Sequence, residues 1–129
     1  MLYFFPAAFS QACSIEAHAF AEAIDRFSEL GATVIGISTD DIDSLAKFSN
    51  QACQGKFAVA SDEKGLITQS FDAVMQTRPD FANRISYVIT KEGKVAFYYQ
   101  SLNPDRHVEK ILGALRALRS LTPVTPPAN

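Results

Sequence analysis

The sequence predicts an α/β fold with a mixed central β-sheet flanked by helices, and three patterns predict it. Short apolar runs rich in β-branched and aromatic residues alternate with stretches whose apolar residues recur every three or four positions. Late in the chain two such runs follow one another through Glu92-Gly93, a hairpin signal. The last periodic stretch opens on Asn103-Pro104, a helix cap followed by the residue best tolerated at a first helical position. Crossovers and one antiparallel hairpin in a single unit give the order β-α-β-α-β-(α)-β-β-α, and hence a sheet with both parallel and antiparallel pairs.

Leu2-Tyr3-Phe4-Phe5 has the composition of a buried strand, and Pro6, which has no N–H for a sheet ladder, ends it. A helical pattern runs from Cys13 to Leu30. Phe20, Ala23, Ile24 and Phe27 make its apolar face, and Gly31 supplies the stop. Ala32 to Ser38 is a continuous apolar run of the kind found in a strand covered on both faces. Asp40 or Asp41 caps the next helix, Ile42 to Ala52, with Leu45 and Phe48 inward. Phe57 to Ala60 reads as a short strand, Asp62 to Gly65 as a turn and Leu66 to Phe71 as a short helix. Arg78-Pro79 breaks any helix between Ala73 and Asn83, which reads as loop. Ile85 to Thr90 and Lys94 to Gln100 form the hairpin, and Val108, Ile111, Leu112, Leu115 and Leu118 are the inward face of the final helix.

Residues 1–121 therefore make one domain, and 122–129, with three prolines, reads as a disordered tail. A net charge of −2 argues against nucleic acid or an anionic membrane as partner. Two cysteines are too few for a disulfide-stapled scaffold, so they are chemistry or buried filler. No run reaches the ~18 apolar residues of a membrane helix. The apolar start lacks a basic region, and its apolar part merges into the segment described next, which does not fit a cleaved signal peptide. The expected compartment is the cytoplasm, with export as the alternative should a signal lie upstream.

The stretch with most chemistry is Pro6-Ala7-Ala8-Phe9-Ser10-Gln11-Ala12-Cys13. It puts a thiol where a strand hands over to a helix, among unpaired backbone N–H groups at the positive end of the helix dipole. That setting turns ordinary thiols, with a pKa of ~8.5, into thiolates near neutral pH. The plainer alternative is a small buried hydrophobe, although Cys13 precedes the apolar helix stripe instead of lying in it. Neither His18 nor His107 has metal-ligand company in the sequence.

Pro-x-x-x-(Thr/Ser)-x-x-Cys after an apolar strand resembles the active-site signature of the peroxiredoxins, the alkyl hydroperoxide reductase/thiol-specific antioxidant family. Pro6, Ser10 and Cys13 fall on its fixed positions, and Leu2 to Pro6 and Ile15-Glu16-Ala17 resemble the flanks of its bacterioferritin-comigratory, or Q-type, branch. The resemblance runs from Leu2 to about Leu118 and narrows the fold to thioredoxin-like. It implies a thiol peroxidase for hydrogen peroxide or alkyl hydroperoxides, with a thioredoxin-like reductant, no cofactor, and a monomer or homodimer. A non-catalytic redox-sensing or interaction module of the same fold is the alternative.

By the same resemblance Cys13 is the peroxidatic nucleophile, Ser10 and Arg84 stabilise the reacting peroxide, and Pro6 shields the thiol from water. Ser10 has a second role open to it as a helix cap, Pro6 as a strand terminator, and Arg78 competes with Arg84. Glu16 either orients Arg84 or is only a favourable first-turn acid. His18 stands where many Q-type members carry a resolving cysteine, which rules out the short intrahelical disulfide. Cys53 is then either the resolving cysteine or a spectator; a bridge needs Cα atoms within ~7 Å, so it calls for local unfolding of the first helical turn. The resemblance also leads one to expect strands ahead of Leu2 that this sequence does not match, and so apolar sheet surface favouring self-association.

Overall fold

The structure is a computed structural model that describes residues 1–121, apart from the side chains of Ser120 and Leu121. The expected disordered tail, 122–129, lies outside the described residues. The strands are β1 (Leu2–Phe4), β2 (Ile35–Ser38), β3 (Ala58–Ser61), β4 (Ile85–Ile89) and β5 (Val95–Gln100). The helices are α1 (Gln11–Glu22), α2 (Ile24–Glu29), α3 (Ile42–Gln51), α4 (Leu66–Ser70) and α5 (His107–Leu121), the last entered through a 3-10 turn, Pro104–Arg106.

The sheet order is β3-β2-β1-β4-β5. β1 pairs parallel with β2 and antiparallel with β4, so Phe4 lies between Ile37 and Ile85 in the middle of the sheet. β2 and β3 are parallel, and β4 and β5 close the expected hairpin. This mixed sheet, with helices packed on it, is a thioredoxin-like fold. Alternation along β1 sends Tyr3 and Phe5 to one face and Phe4 to the other. Tyr3 and Phe5 join Ala17, Phe20, Phe48, Ile111 and Leu112 in the main core. Phe4 packs with Ala73, Ala82, Ile85 and Tyr87 in a smaller one. Gly36 is required opposite Tyr3, because a Cβ there would stand 3.0 Å from the Tyr3 ring.

Three boundaries depart from the sequence reading. The helix expected from Cys13 to Leu30 starts at Gln11 and is two helices. At Ala23 one N–H is shared between the carbonyls of Ala19 and Phe20, which tightens the turn before α2 restarts at Ile24. The run from Ala32 to Ser38 enters the ladder only at Ile35. Its first residue is occupied elsewhere: Ala32 N–H bonds Phe27 O and Gly31 N–H bonds Ser28 O, with Gly31 at φ +73°, the paired bonds of a Schellman cap. Of the two candidate caps of α3, Asp41 accepts from Ser44 N–H, and Asp40 is free for another task.

Candidate active site

Phe5, Pro6 and the residues after them leave β1 still bonded to the sheet, Phe5 N–H donating to Ile37 O at 3.0 Å. Phe9 then adopts φ +64°, a left-handed conformation that costs a non-glycine residue of order 1 kcal/mol. Two contacts hold it there. The Phe9 ring meets Phe48 edge-on at 5.5 Å, and Ala8 N–H donates to Asp40 Oδ2 at 2.7 Å. Asp40 Oδ2 also accepts from Ser38 Oγ at 2.6 Å, so the loop is tied to the end of β2 through one carboxylate. Asp40→Ala is expected to cost about 1.5–3 kcal/mol in denaturant unfolding, the range for bonds to a charged group. A loss below about 0.5 kcal/mol would show that aromatic packing alone holds the loop.

Ser10 caps α1, its Oγ accepting from Cys13 N–H at 3.2 Å. The acceptor role leaves the hydroxyl hydrogen free to donate. Cys13 is buried in the first turn of α1. Arg84, only 3% exposed just ahead of β4, aims its guanidinium at this turn. Nη2 donates to Cys13 Sγ at 3.3 Å, Nη1 to Glu16 Oε1 at 2.8 Å, and Nε to Leu102 O at 2.9 Å. Three bonds from one planar fork leave the group a single orientation. Burial works against its charge, and the neighbouring Glu16 and Cys13 outweigh burial, so Arg84 stays a cation. Arg78 is exposed and lies over the Phe81 ring, 4.8 Å from its centroid.

Glu16 is fully buried. Burial pushes its carboxyl up to about 7, against the pull of Arg84. Its Oε2 has no hydrogen-bond partner among the described residues, and lies 3.4 Å from Nδ1 of buried His107. His107 Nδ1 is also 2.8 Å from Ser86 Oγ, and Nε2 is 2.8 Å from Ser101 O.

The structure thus brings Ser10, Cys13, Glu16 and Arg84 together, and adds His107 and Ser86, which the sequence reading left out. Pro6 is half-buried at the exit of β1. His18 is exposed and pairs with Glu22 at 3.1 Å, one turn further along α1. Cys53, just past α3, is fully buried and unbridged, and burial raises its thiol to about 12. Phe9, Ser14, His18, Gln51 and Ala52 line one shallow hollow, so the end of α3 faces the first turns of α1. Chemically, the centre is a buried sulfur with one fixed cation, one available hydroxyl, and the N-terminal amides of a helix.

The model of the AhpC/TSA family matches residues 1–98. "Peroxiredoxin Q, chloroplastic" of Populus jackii is 30% identical over 92% of this chain and 55% of its own length. "Peroxiredoxin Bcp" of Escherichia coli K12 is 26% identical over 90% of this chain and 77% of its own. Among solved structures, peroxidoxin BcpB from Mycobacterium tuberculosis superposes with a TM-score of 0.83 at 31% identity, covering 92% of this chain and 78% of that one. The chain spans about half the length of several plant relatives it matches.

Proposed function

We propose that this chain, which belongs to the AhpC/TSA family and to the Q-type peroxiredoxins within it, works as a thiol peroxidase on hydrogen peroxide and alkyl hydroperoxides. The observation that carries the reading is the 3.3 Å bond from Arg84 Nη2 to Cys13 Sγ, made by a guanidinium whose other nitrogens are both anchored. A preorganised cation at a nucleophile needs no rearrangement as charge moves from sulfur to oxygen.

In this reading the Cys13 thiolate attacks the terminal peroxide oxygen and the O–O bond breaks. Cys13 becomes a sulfenic acid, and the departing alkoxide or hydroxide takes a proton to leave as alcohol or water. Arg84 and the free hydroxyl hydrogen of Ser10 support the developing charge. Glu16 orients Arg84, and Pro6 closes the strand exit against water. The sulfenic acid condenses with a thiol, releasing water and forming a disulfide, which a thioredoxin-like dithiol reduces by exchange. Such a reductant works in a reducing compartment, and the cytoplasm is the one proposed, with export as the alternative. Among the described residues no helix is long and apolar enough to cross a membrane. Coupling peroxide consumption to thioredoxin and its reductase tests the reading, with Cys13→Ser as the control.

Cys53 is the resolving thiol in this scheme. With its thiol raised to about 12 it is neither ionised nor accessible while α3 stays closed. Opening the end of α3 returns it toward an ordinary ~8.5, and local unfolding of the first turn of α1, which carries Cys13, lets the two sulfurs meet. Mass mapping after one equivalent of peroxide is expected to find Cys13 bridged to Cys53. An unbridged Cys53 beside an oxidised Cys13 would make it a spectator.

A further inference from the structure

His107 faces the active-site cluster from behind, and its surroundings leave one proton unassigned. Ser101 O, a carbonyl, can only accept, so His107 Nε2 carries a hydrogen. Nδ1 then stands 3.4 Å from Glu16 Oε2, and both residues are sealed from solvent. If Glu16 is ionised and Nδ1 bare, Nδ1 accepts from the Ser86 hydroxyl 2.8 Å away, while Oε2 faces that nitrogen at 3.4 Å with no donor of its own. A single proton on either atom removes that cost.

The charges around the cluster point the same way. Arg84 supplies one positive charge to two neighbours, Glu16 Oε1 and Cys13 Sγ. With the sulfur and the carboxylate both ionised, a closed site would hold a net negative charge, which burial opposes. We propose that Glu16 Oε2 and His107 Nδ1 hold one buried proton between them, and that this proton frees the Arg84 guanidinium to serve the Cys13 sulfur. His107 is thereby a positioning residue that acts through Glu16. Glu16, raised to about 7, keeps the proton near neutral pH; His107, lowered first by burial and further by Arg84, serves as its neighbour.

The other groups facing the pair are Tyr3 on β1, Cys13 on α1, Arg84 just ahead of β4, Ser86 on β4, and the Tyr99 ring on β5, 4.8 Å from the imidazole. Lys110 lies beyond that ring, 5.9 Å from its centroid. Among the described residues Arg84 is the cation in contact, and it is common to Glu16 and Cys13. Because the sites share it, thiolate and proton stabilise one another, and each shifts the other's titration by the same amount.

This inference rests on Cys13 being the reactive thiol, and its readout is spectroscopic, so failure of a peroxidase assay and failure of the proton pair are distinguishable. The chain holds two histidines, and full-length protein labelled with nitrogen-15 histidine reports on both, with His18→Asn assigning the signals. The His107 ring shifts are expected to pass through an inflection as the pair loses its proton. In the wild type that inflection should lie roughly half a pH unit or more above its place in Cys13→Ser, a factor of about three in proton affinity. In Glu16→Gln it should vanish, and alkylation of Cys13 by iodoacetamide below neutral pH should match the wild type, because the amide, like the protonated acid, leaves Arg84 to the sulfur. The same inflection in wild type and Cys13→Ser overturns the proposal, as does one that survives in Glu16→Gln. Should Glu16→Gln fail to fold, the wild-type against Cys13→Ser comparison decides alone.

Discussion

Cys13→Ser is expected to abolish peroxide reduction, lowering the rate by at least about 10⁴-fold, as loss of a covalent nucleophile does elsewhere. The size of the effect follows from what the oxygen cannot do. A serine hydroxyl at this position keeps the geometry of the first turn of α1, and Arg84 Nη2 can donate to Oγ as it does to Sγ at 3.3 Å. The hydroxyl is not ionised by one guanidinium and a helix terminus, so the attack on oxygen is lost while the fold is kept. Denaturant unfolding should therefore show a change of only about 1 kcal/mol. A variant that folds normally and consumes peroxide at the wild-type rate would remove Cys13 from the reaction.

Arg84→Met should produce the second largest effect, and it separates into two parts. Removing the preorganised cation is expected to lower the rate of Cys13 oxidation about 10²–10³-fold, the range for loss of one fixed donor. Above about pH 7, where Glu16 ionises, removing it also strands that carboxylate, buried and bonded to Arg84 at 2.8 Å, which costs about 3–5 kcal/mol of stability in a pair of this kind. A double-mutant cycle tells the parts apart. Arg84→Met combined with Glu16→Gln should regain much of the stability, because the orphaned acid is gone, and none of the rate. An Arg84→Met protein that stays within about tenfold of the wild-type rate would show that the helix terminus alone activates the thiol.

The fold class was legible in the residues themselves. The hairpin through Glu92-Gly93 and the cap at Asn103, whose Oδ1 accepts from Asp105 N–H, are local devices that do not depend on the rest of the chain. The motif likewise carried Ser10 and Cys13, since three residues of helix entry suffice to bring the hydroxyl to the Cys13 N–H. What local reasoning missed depends on distant partners. Asp40 and Asp41 are equivalent caps in sequence, and only the nearby Ala8 N–H and Ser38 hydroxyl draw Asp40 away. The break at Ala23 and the late start of β2 are set by tertiary packing and by a neighbouring cap, neither visible in the apolar periodicity.

His107 had a signal that was available. It sits four residues before Ile111 on the inward stripe of α5, and a polar residue on such a stripe must meet a polar partner. Ser86 gives the matching signal as a hydroxyl inside the apolar run of β4, among the buried Ile85, Tyr87 and Val88. Arg84 could be preferred over Arg78 in sequence only by resemblance. In the structure the two part company because Arg84 is followed directly by a central strand, which carries it under the sheet, whereas Arg78 stays on the exposed loop.

The central claim is that a buried sulfur at the entry to α1 is made a peroxide nucleophile by Arg84. Rapid mixing of the reduced protein with one equivalent of hydrogen peroxide, quenched in a time series and read by mass spectrometry of the Cys13 peptide, tests it directly. The expected result is oxidation of Cys13 at least about 10²–10³-fold faster than free cysteine under the same conditions, the contribution of one fixed charge. Oxidation at the pace of free cysteine, or first at Cys53, would contradict it.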